Sequence, residues 1–306
     1  MNCFVVAKVY GAAAANSARL GEKGPEQEKL NMLMIHSKND ARAEVERKGD
    51  RLQARAPIVH VLDDFADQAA QMLAHAIFTC IQEKQECRLG LAGGSTPQPV
   101  YARLRELLPV RAYEKLKVTW TDERVLPVKQ PDGEEEVPGN WKLFDADSNL
   151  RMAYESWLAH VPLRHDQVLP LALSDNAKQE LLRFGRKFQQ DFRGGLDIAL
   201  VGTGSDGHIA SLFPGHPATE VDDIAVAIHD SPKAPAERIS LTGPAICRAE
   251  KLVLLATGKQ KAQVLKAAYD GDETTPLGRI ASHPHGFWLL DREAARDILR
   301  SEVADR

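Results

Sequence analysis

Cysteine is scarce in this sequence: the 306 residues include four, at Cys3, Cys80, Cys87 and Cys247. No two of them form a Cys-x-x-Cys pair, so neither a zinc site nor a dithiol redox motif is indicated. Cys80 and Cys87 flank a predicted turn, and we interpret them as packing residues rather than as a disulfide. Such scattered cysteines are typical of a reducing compartment, and we therefore expect a cytoplasmic protein.

The sequence also lacks a basic excess and a long apolar run. Its formal net charge is -4, which argues against a nucleic-acid partner and against an anionic membrane surface. No stretch approaches the roughly 20 apolar residues that cross a bilayer. A local basic pocket for a small anion is compatible with this composition. The length suffices for a large buried core.

Hydrophobic periodicity is missing from residues 1–56, and residues 37–55 are dense in charge. We interpret residues 1–56 as a poorly ordered N-terminal extension. A start codon placed too early, with Met32 or Met34 as the true start, explains the same pattern, whereas the resemblance to a transit peptide is faint. Residues 57–306 are then expected to form a single catalytic domain.

From residue 57 onwards, apolar strands alternate with amphipathic helices. Helices of ten or more residues between strands predict crossover units, and therefore an α/β fold with a mainly parallel sheet covered by helices on both faces. The stretch 129–141 interrupts this pattern and is interpreted as an exposed loop. Strands are predicted at 58–62, 89–92, 117–120, 168–173, 196–201, 224–228, 238–241, 251–256 and 287–290, and helices from 63, from 97, at 149–159, at 176–192, at 259–269 and from 292.

Three chemically unusual loops directly follow predicted strands: 93–97, 121–124 and 202–208. In parallel α/β sheets, ligands bind beyond the carboxyl ends of the strands. The topology therefore predicts that the three loops meet at one rim of the sheet.

The first loop carries Gly93, Gly94, Ser95 and Thr96 between a strand and a helix that begins near Pro97. Glycines allow close approach of a ligand, and the helix start with its hydroxyls favours an anion such as phosphate. The alternative is a tight turn with a hydroxyl N-cap. The loop is neither a Walker loop nor Gly-x-Gly-x-x-Gly, so no nucleotide cofactor is indicated.

The second loop carries Asp122, Glu123 and Arg124. The functional interpretation is a carboxylate that orients sugar hydroxyls, with an arginine that contacts the substrate. A solvated surface turn explains the three charges equally well when they are taken alone.

The third loop, from Gly202 to His208, gives the strongest signal. Three glycines in six residues are costly in conformational entropy, which close approach of a ligand to Gly204 and its neighbours would explain. His208 suits a general base at neutral pH, with Asp206 beside it. A structural histidine is the competing interpretation. His208, His216 and His229 lack metal-ligand spacing, so no metal is expected.

Two further cations, Arg238 and Lys261, are candidates for binding a phosphorylated substrate. Either could instead be an exposed surface charge.

The segments "LAGGSTP", "TWTDERV", "DADSN", "VGTGSDGHIASLFPG", "RISLT", "TGKQKA" and "WLLD" resemble, in this order, those of 6-phosphogluconolactonases. The resemblance spans roughly Ile58 to Ala295, and the stretch 129–141 departs from it as an insertion. It implies a fold related to glucosamine-6-phosphate deaminases and ribose-5-phosphate isomerases. It also implies hydrolysis of 6-phospho-D-glucono-1,5-lactone, the second step of the oxidative pentose phosphate pathway, without a cofactor.

The resemblance implies roles for individual residues. His208 would activate water, with Asp206 positioning the loop, and glycine-loop amides would stabilise the oxyanion. Asn149, from the "DADSN" segment, joins the binding residues, and we expect a monomer or weak homodimer. The related deaminases continue Gly-His-Ile-Ala with Phe-Asn-Glu-Pro, whereas Ser211 to Pro214 here contain no acid, which favours the lactonase. A sugar-phosphate isomerase or deaminase, or a non-enzymatic sensor, are the alternatives.

Overall fold

The computed structural model describes residues 8–10, 57–126 and 147–304. The predicted loop at 129–141 lies outside the described residues. So does the extension at 1–56, apart from Lys8–Tyr10, which form a strand. The predictions about these two segments therefore remain predictions.

Within the described residues, the main sheet has eight strands, all paired in parallel. In chain order they are β1 (Lys8–Tyr10), β2 (Ile58–Leu62), β3 (Cys87–Leu91), β4 (Leu116–Trp120), β6 (Val168–Leu169), β7 (Ile198–Gly202), β10 (Lys251–Ala256) and β11 (Gly286–Asp291). Their order across the sheet is β1-β2-β11-β10-β7-β3-β4-β6. The first four residues of β7 are buried, as expected for a strand covered on both faces.

In the part of the chain that the structure describes, a second sheet of three antiparallel strands corrects the sequence-based prediction for residues 121–124. It consists of β5 (Asp122–Arg124), β9 (Arg238–Leu241) and β8 (Ala225–Ile228), in that order. Residues 122–124 were expected in a loop, but Asp122 pairs with Ser240 and Arg124 pairs with Arg238. The prediction was wrong because pairing with a strand more than a hundred residues away leaves no local pattern.

The α-helices, again in chain order, are α1 (Phe65–Lys84), α2 (Pro97–Leu107), α3 (Val110–Tyr113), α4 (Asn149–Ser156), α5 (Ala177–Phe192), α6 (Gly243–Cys247), α7 (Ala262–Tyr269), α8 (Pro276–Ala281) and α9 (Arg296–Ala304). Asp64 caps α1 and Asn176 caps α5, each by accepting a backbone N–H in the first turn. Pro97 stands at the first position of α2, as predicted.

Some element bounds differ from the predictions. β6 stops at Leu169 because Pro170 has no N–H to continue the ladder. The segment 259–269 begins with a 3₁₀ turn, Lys259–Lys261, before α7. The last helix starts at residue 296 rather than 292. The α/β fold with a mainly parallel sheet is confirmed.

The chain reverses direction across the sheet between β3 and β7. From β3 it continues to β4 and β6, and from β7 it continues the other way to β10 and β11. Because crossovers are right-handed, helices α1 and α2 lie on one face and α5 and α7 on the other. The reversal makes the carboxyl ends of β3 and β7 the topological switch point, where such folds bind ligands.

The interior holds Cys80 and Cys87 as buried free thiols, which confirms their interpretation as packing residues. Within the described ranges, no helix is both long and apolar enough to span a membrane.

Candidate active site

The loop that follows β7 brings Asp206 and His208 together over Gly204. A Cβ on Gly204 would lie 2.4 Å from Asp206 Oδ1 and 2.4 Å from His208 Cε1, so only glycine leaves room for the pair. Gly207 has a φ of +78°, in the left-handed region that favours glycine. The carbonyl of Gly207 accepts a hydrogen bond from Leu277 N at 3.0 Å, which ties the loop to α8. Gly204 and Gly207 are therefore required by the conformation of this loop, which places Asp206 beside His208.

His208 and Asp206 form a close pair. His208 Nδ1 lies 2.6 Å from Asp206 Oδ1, and the imidazole is largely buried, with 19% of the side chain exposed. Burial lowers the pKa of His208 below its ordinary value, while the Asp206 carboxylate raises it in part. In the described part of the chain, no hydrogen-bond partner meets His208 Nε2. With Nδ1–H donating to Asp206, Nε2 is the nitrogen that can accept a proton.

Lys233 joins this pair and was missed by the sequence analysis. Its Nζ lies 3.0 Å from Asp206 Oδ2 and 3.2 Å from His208 Nδ1. Burial alone would raise the pKa of Asp206, but hydrogen bonds from His208 and Lys233 lower it to about 2. The one available signal was a lysine between Pro232 and Pro235 on the loop that leads into β9, and a surface lysine looks the same.

Phe213 and Arg238 lie next to the His208 ring and the Lys233 side chain. The ring of Phe213 lies 4.8 Å from the His208 ring, and the Lys233 ammonium and the Arg238 guanidinium each lie 5.8 Å from its centroid. Arg238 is buried and donates to the carbonyls of Lys233, Ala234 and Pro235, each at 3.0 Å. The arginine predicted to bind substrate therefore holds the loop that carries Lys233.

Asp122 is linked to the same cluster through Ser211. Ser211 Oγ donates to Asp122 Oδ2 at 2.7 Å, and Arg238 Nη1 donates to Ser211 Oγ at 3.3 Å. Asn149 Nδ2 donates to the Asp122 carbonyl at 2.9 Å. The Asn149 amide also occupies the space beside Gly93, where a Cβ would lie 1.9 Å from Asn149 Oδ1. The first and second loops thus meet through Asn149.

Glu123 is buried at the start of α4 and uses both carboxylate oxygens within the protein. Its Oε1 accepts from Arg124 N at 2.7 Å and from Asn149 N at 2.8 Å, and its Oε2 accepts from Leu150 N at 2.6 Å and from Ser148 Oγ at 3.2 Å. Burial raises the pKa of Glu123 to about 7, although the backbone hydrogen bonds oppose that rise. These contacts anchor the helix that carries Asn149.

Arg124 extends towards the start of the same helix. Its Nη1 donates to the Asp147 carbonyl, while its buried Nε lacks a partner among the described residues.

The loop that follows β3 meets the loop that follows β10. Thr96 Oγ1 lies 3.1 Å from Thr257 Oγ1 and makes no capping hydrogen bond to α2, so the hydroxyl N-cap alternative is not supported. Gly94 has a φ of +94°, and Gly94 and Ser95 are exposed. Lys261 is partly buried, which lowers its pKa, and the nearby charge of Lys233 lowers it further, while Asp291 raises it. The hydroxyls of Thr96 and Thr257 therefore meet at the start of α2, and Lys261 follows Thr257 on the 3₁₀ turn Lys259–Lys261.

The three predicted loops are thus brought to one rim, as expected. Within the described ranges, no group of three or more His, Cys, Asp or Glu side chains could hold a metal ion. A cavity of about 340 Å³, lined by Cys247, Lys251 and His283 among others, lies at the opposite, amino-terminal edge of β10 and β11 and includes none of the predicted residues.

The family of glucosamine-6-phosphate isomerases/6-phosphogluconolactonase matches residues 61–137 and 141–288 of this chain. A 6-phosphogluconolactonase of Mycobacterium tuberculosis is 31% identical over 243 residues, which cover 75% of this chain and 92% of that protein. A 6-phosphogluconolactonase of Homo sapiens is 31% identical over 241 residues, covering 74% and 87%.

Among solved structures, the fold resembles a 6-phosphogluconolactonase from Trypanosoma cruzi with a TM-score of 0.66 and 24% identity, covering 82% of this chain and 99% of that one. It also resembles a monomeric glucosamine-6-phosphate deaminase with a TM-score of 0.60 and 22% identity, covering 78% and 99%. At these identities the likeness to solved structures concerns the fold alone.

Proposed function

The chain belongs to the family of glucosamine-6-phosphate isomerases and 6-phosphogluconolactonases, and we propose that it is a lactonase that hydrolyses 6-phospho-D-glucono-1,5-lactone to 6-phospho-D-gluconate. This is the second step of the oxidative pentose phosphate pathway. The 2.6 Å contact between His208 Nδ1 and Asp206 Oδ1 at the switch point carries the proposal. Relatives that bear the name of this activity, at 31% identity over about three quarters of the chain, support it.

In the proposed reaction His208 is the general base. Its Nε2 takes a proton from water while the water oxygen forms a bond to C1 of the lactone. The tetrahedral intermediate then breaks the bond between C1 and the ring oxygen, which receives the proton back from His208. Asp206 accepts from Nδ1–H, fixes the tautomer and stabilises the transient imidazolium. A base of this kind contributes ~10²–10⁴-fold to the rate.

Backbone amides of the glycine loops are the proposed donors to the oxyanion. Gly93, Gly94 and Gly204 lie on the two loops at the switch point, where a carbonyl can approach closely. Donors already fixed by the fold need no reorganisation when charge develops on the carbonyl oxygen, which is usually a large part of catalysis.

The phosphate of the substrate is proposed to bind at the start of α2, between Lys261 and Lys233. Ser95, Thr96 and the N–H of Gln98 would donate to its oxygens, since a helix N-terminus favours anions. Pro97 and Pro99, on either side of Gln98, have no N–H. Arg238, Asp122 and Glu123 are assigned to positioning, because their polar groups are engaged within the protein.

A deaminase in this family is the principal competing function. In the related deaminases the segment after Gly-His-Ile-Ala is Phe-Asn-Glu-Pro, whereas here Phe213 stands in place of that Glu and packs against the His208 ring at 4.8 Å. No specific feature of the site favours deamination.

The direct test is hydrolysis of freshly generated 6-phosphogluconolactone by the purified full chain, measured as acid release above the uncatalysed background. The same preparation should act poorly on unphosphorylated gluconolactone and should release no ammonia from glucosamine 6-phosphate. Ammonia release without lactonase activity would contradict the proposal. Equal turnover of the two lactones would contradict the phosphate site.

A further inference from the structure

Lys233 occupies a position that opposes protonation of the proposed base. Its ammonium lies 3.0 Å from Asp206 Oδ2 and 3.2 Å from His208 Nδ1, so the Asp206 carboxylate is shared between a cation and the imidazole. A positive charge at this distance disfavours the imidazolium that forms when His208 takes a proton. While Lys233 stays there, His208 is a weaker base than the pair with Asp206 alone would make it.

The Lys233 side chain can leave this position although its backbone is fixed. The carbonyls of Lys233, Ala234 and Pro235 accept hydrogen bonds from the buried Arg238, and Lys233 N donates to Ser231 Oγ at 3.3 Å. The side chain, by contrast, is 47% exposed, and its polar contacts in the described ranges are with Asp206 and His208. The lysine ammonium stands on a flexible four-carbon stem, so it can change position by side-chain rotation while the backbone stays in place.

A phosphate bound beside Lys261 would give the Lys233 ammonium a second anion with which to pair. Among the described residues, Lys261 Nζ has no hydrogen-bond or ion-pair partner; burial lowers its pKa, the charge of Asp291 raises it, and the charge of Lys233 lowers it to a lesser extent. A phosphate dianion bound beside Lys261 would attract both ammonium groups and offset the repulsion between them. Phosphate offers up to three acceptor oxygens and about two charges. Asp206 offers one charge that His208 already shares.

We propose that Lys233 determines substrate specificity by moving between two anions. Paired with Asp206 and His208, the Lys233 ammonium restrains the base, and a phosphate that binds nearby draws it away, so that His208 accepts a proton readily when the substrate is phosphorylated. The groups that face His208 from the elements around it are Asp206, Lys233, Asp122 and, across the Phe213 ring, Arg238. Of these, Lys233 has the most exposed side chain, 47% against 37% for Asp206, and a flexible four-carbon stem.

The titration of His208, followed by NMR on the full chain, tests this coupling without any substrate. The His208 signals are assigned by comparison with His208→Asn and followed over pH, with and without inorganic phosphate at matched ionic strength. In the wild type, phosphate should raise the pKa of His208 by about one unit or more, the size expected when a neighbouring like charge is removed. In Lys233→Met the pKa should already be raised without phosphate.

Lys259→Met is the matched control, because Lys259 is an exposed lysine two residues before Lys261 and outside the proposed machinery. It should behave as the wild type does. An unchanged His208 titration when phosphate is added to the wild type would overturn the proposal. So would a Lys233→Met protein, folded by circular dichroism, whose phosphate-free titration equals that of the wild type.

A rate measurement tests whether the effect of phosphate on His208 determines substrate specificity, and this experiment rests on the proposed function. Inorganic phosphate added to the wild type should accelerate hydrolysis of unphosphorylated gluconolactone beyond the enzyme-free effect of the same phosphate. Lys233→Met should be faster than the wild type without phosphate and should gain little from it. If the wild type proves to have no lactonase activity, this arm fails with the proposed function, whereas the NMR titration still decides the coupling.

Discussion

At the scale of single residues, His208 is held between a carboxylate and an aromatic ring. Asp206 lies 2.6 Å from Nδ1, and the Phe213 ring lies 4.8 Å away. Substitution His208→Asn should lower kcat by ~10²–10⁴-fold, because the general base is lost. KM should change little, since His208 is proposed to act on the attacking water rather than to bind the lactone.

His229→Asn is the control for that substitution. His229 pairs with Glu237 at 2.7 Å, and its side chain is 66% exposed, so its removal should leave kcat unchanged, as expected for an exposed ion pair. Near-normal turnover by His208→Asn, after subtraction of the spontaneous rate, would rule out the base role.

The pH dependence of kcat/KM should reflect the titration of His208. His208 must be deprotonated to act, so kcat/KM should be high above its pKa and fall as the pH drops through it. Because burial lowers that pKa, the acid limb should lie below the ordinary histidine value of about 6.5. Asp206→Asn removes the charge that raises the pKa and should move the limb to still lower pH while reducing kcat. A limb displaced to higher pH in Asp206→Asn would contradict this assignment of charges.

At the scale of elements, the start of α4 depends on Glu123. Its carboxylate accepts four hydrogen bonds, from Arg124, Ser148, Asn149 and Leu150. In Glu123→Gln the amide NH₂ replaces one acceptor oxygen and faces donors, so the free energy of unfolding should fall by about 1–3 kcal/mol. Urea denaturation measures this change.

Glu155→Gln, on the same helix, provides the comparison. Glu155 accepts from Arg151 at 2.7 Å in an exposed pair, and its loss should change the unfolding free energy by less than about 0.5 kcal/mol. Equal effects of the two substitutions would mean that Glu123 does not anchor the helix.

The loop after β7 depends on Gly204 in a different way. Gly204 has no positive φ, so alanine fits the backbone, but its Cβ would lie 2.4 Å from Asp206 Oδ1. Gly204→Ala should therefore displace the Asp206–His208 pair and reduce kcat more than it reduces stability. In Gly185→Ala, within α5, the added Cβ meets no atom within 4 Å. That variant should keep full kcat and gain roughly 0.5–1 kcal/mol of stability. Full kcat in Gly204→Ala would show that the close packing is not needed.

At the scale of the whole molecule, the sequence predicted the parallel sheet and the meeting of three loops. Those features rest on local patterns, such as the buried run of β7 and the glycines after it. The pairing of Asp122 with Ser240 was missed, since it joins segments that are distant in the chain. Lys233 was missed for the same reason: its role depends on where the loop before β9 lies in space, beside Asp206.

The role of His208 in lactone hydrolysis is tested most directly by the initial rates at which the wild type and His208→Asn hydrolyse freshly generated 6-phospho-D-glucono-1,5-lactone, each corrected for the uncatalysed reaction. We predict a wild-type rate that is proportional to enzyme concentration and well above background, and a His208→Asn rate reduced ~10²–10⁴-fold. A wild-type rate equal to the background, or equal rates for the two proteins, would contradict the central claim.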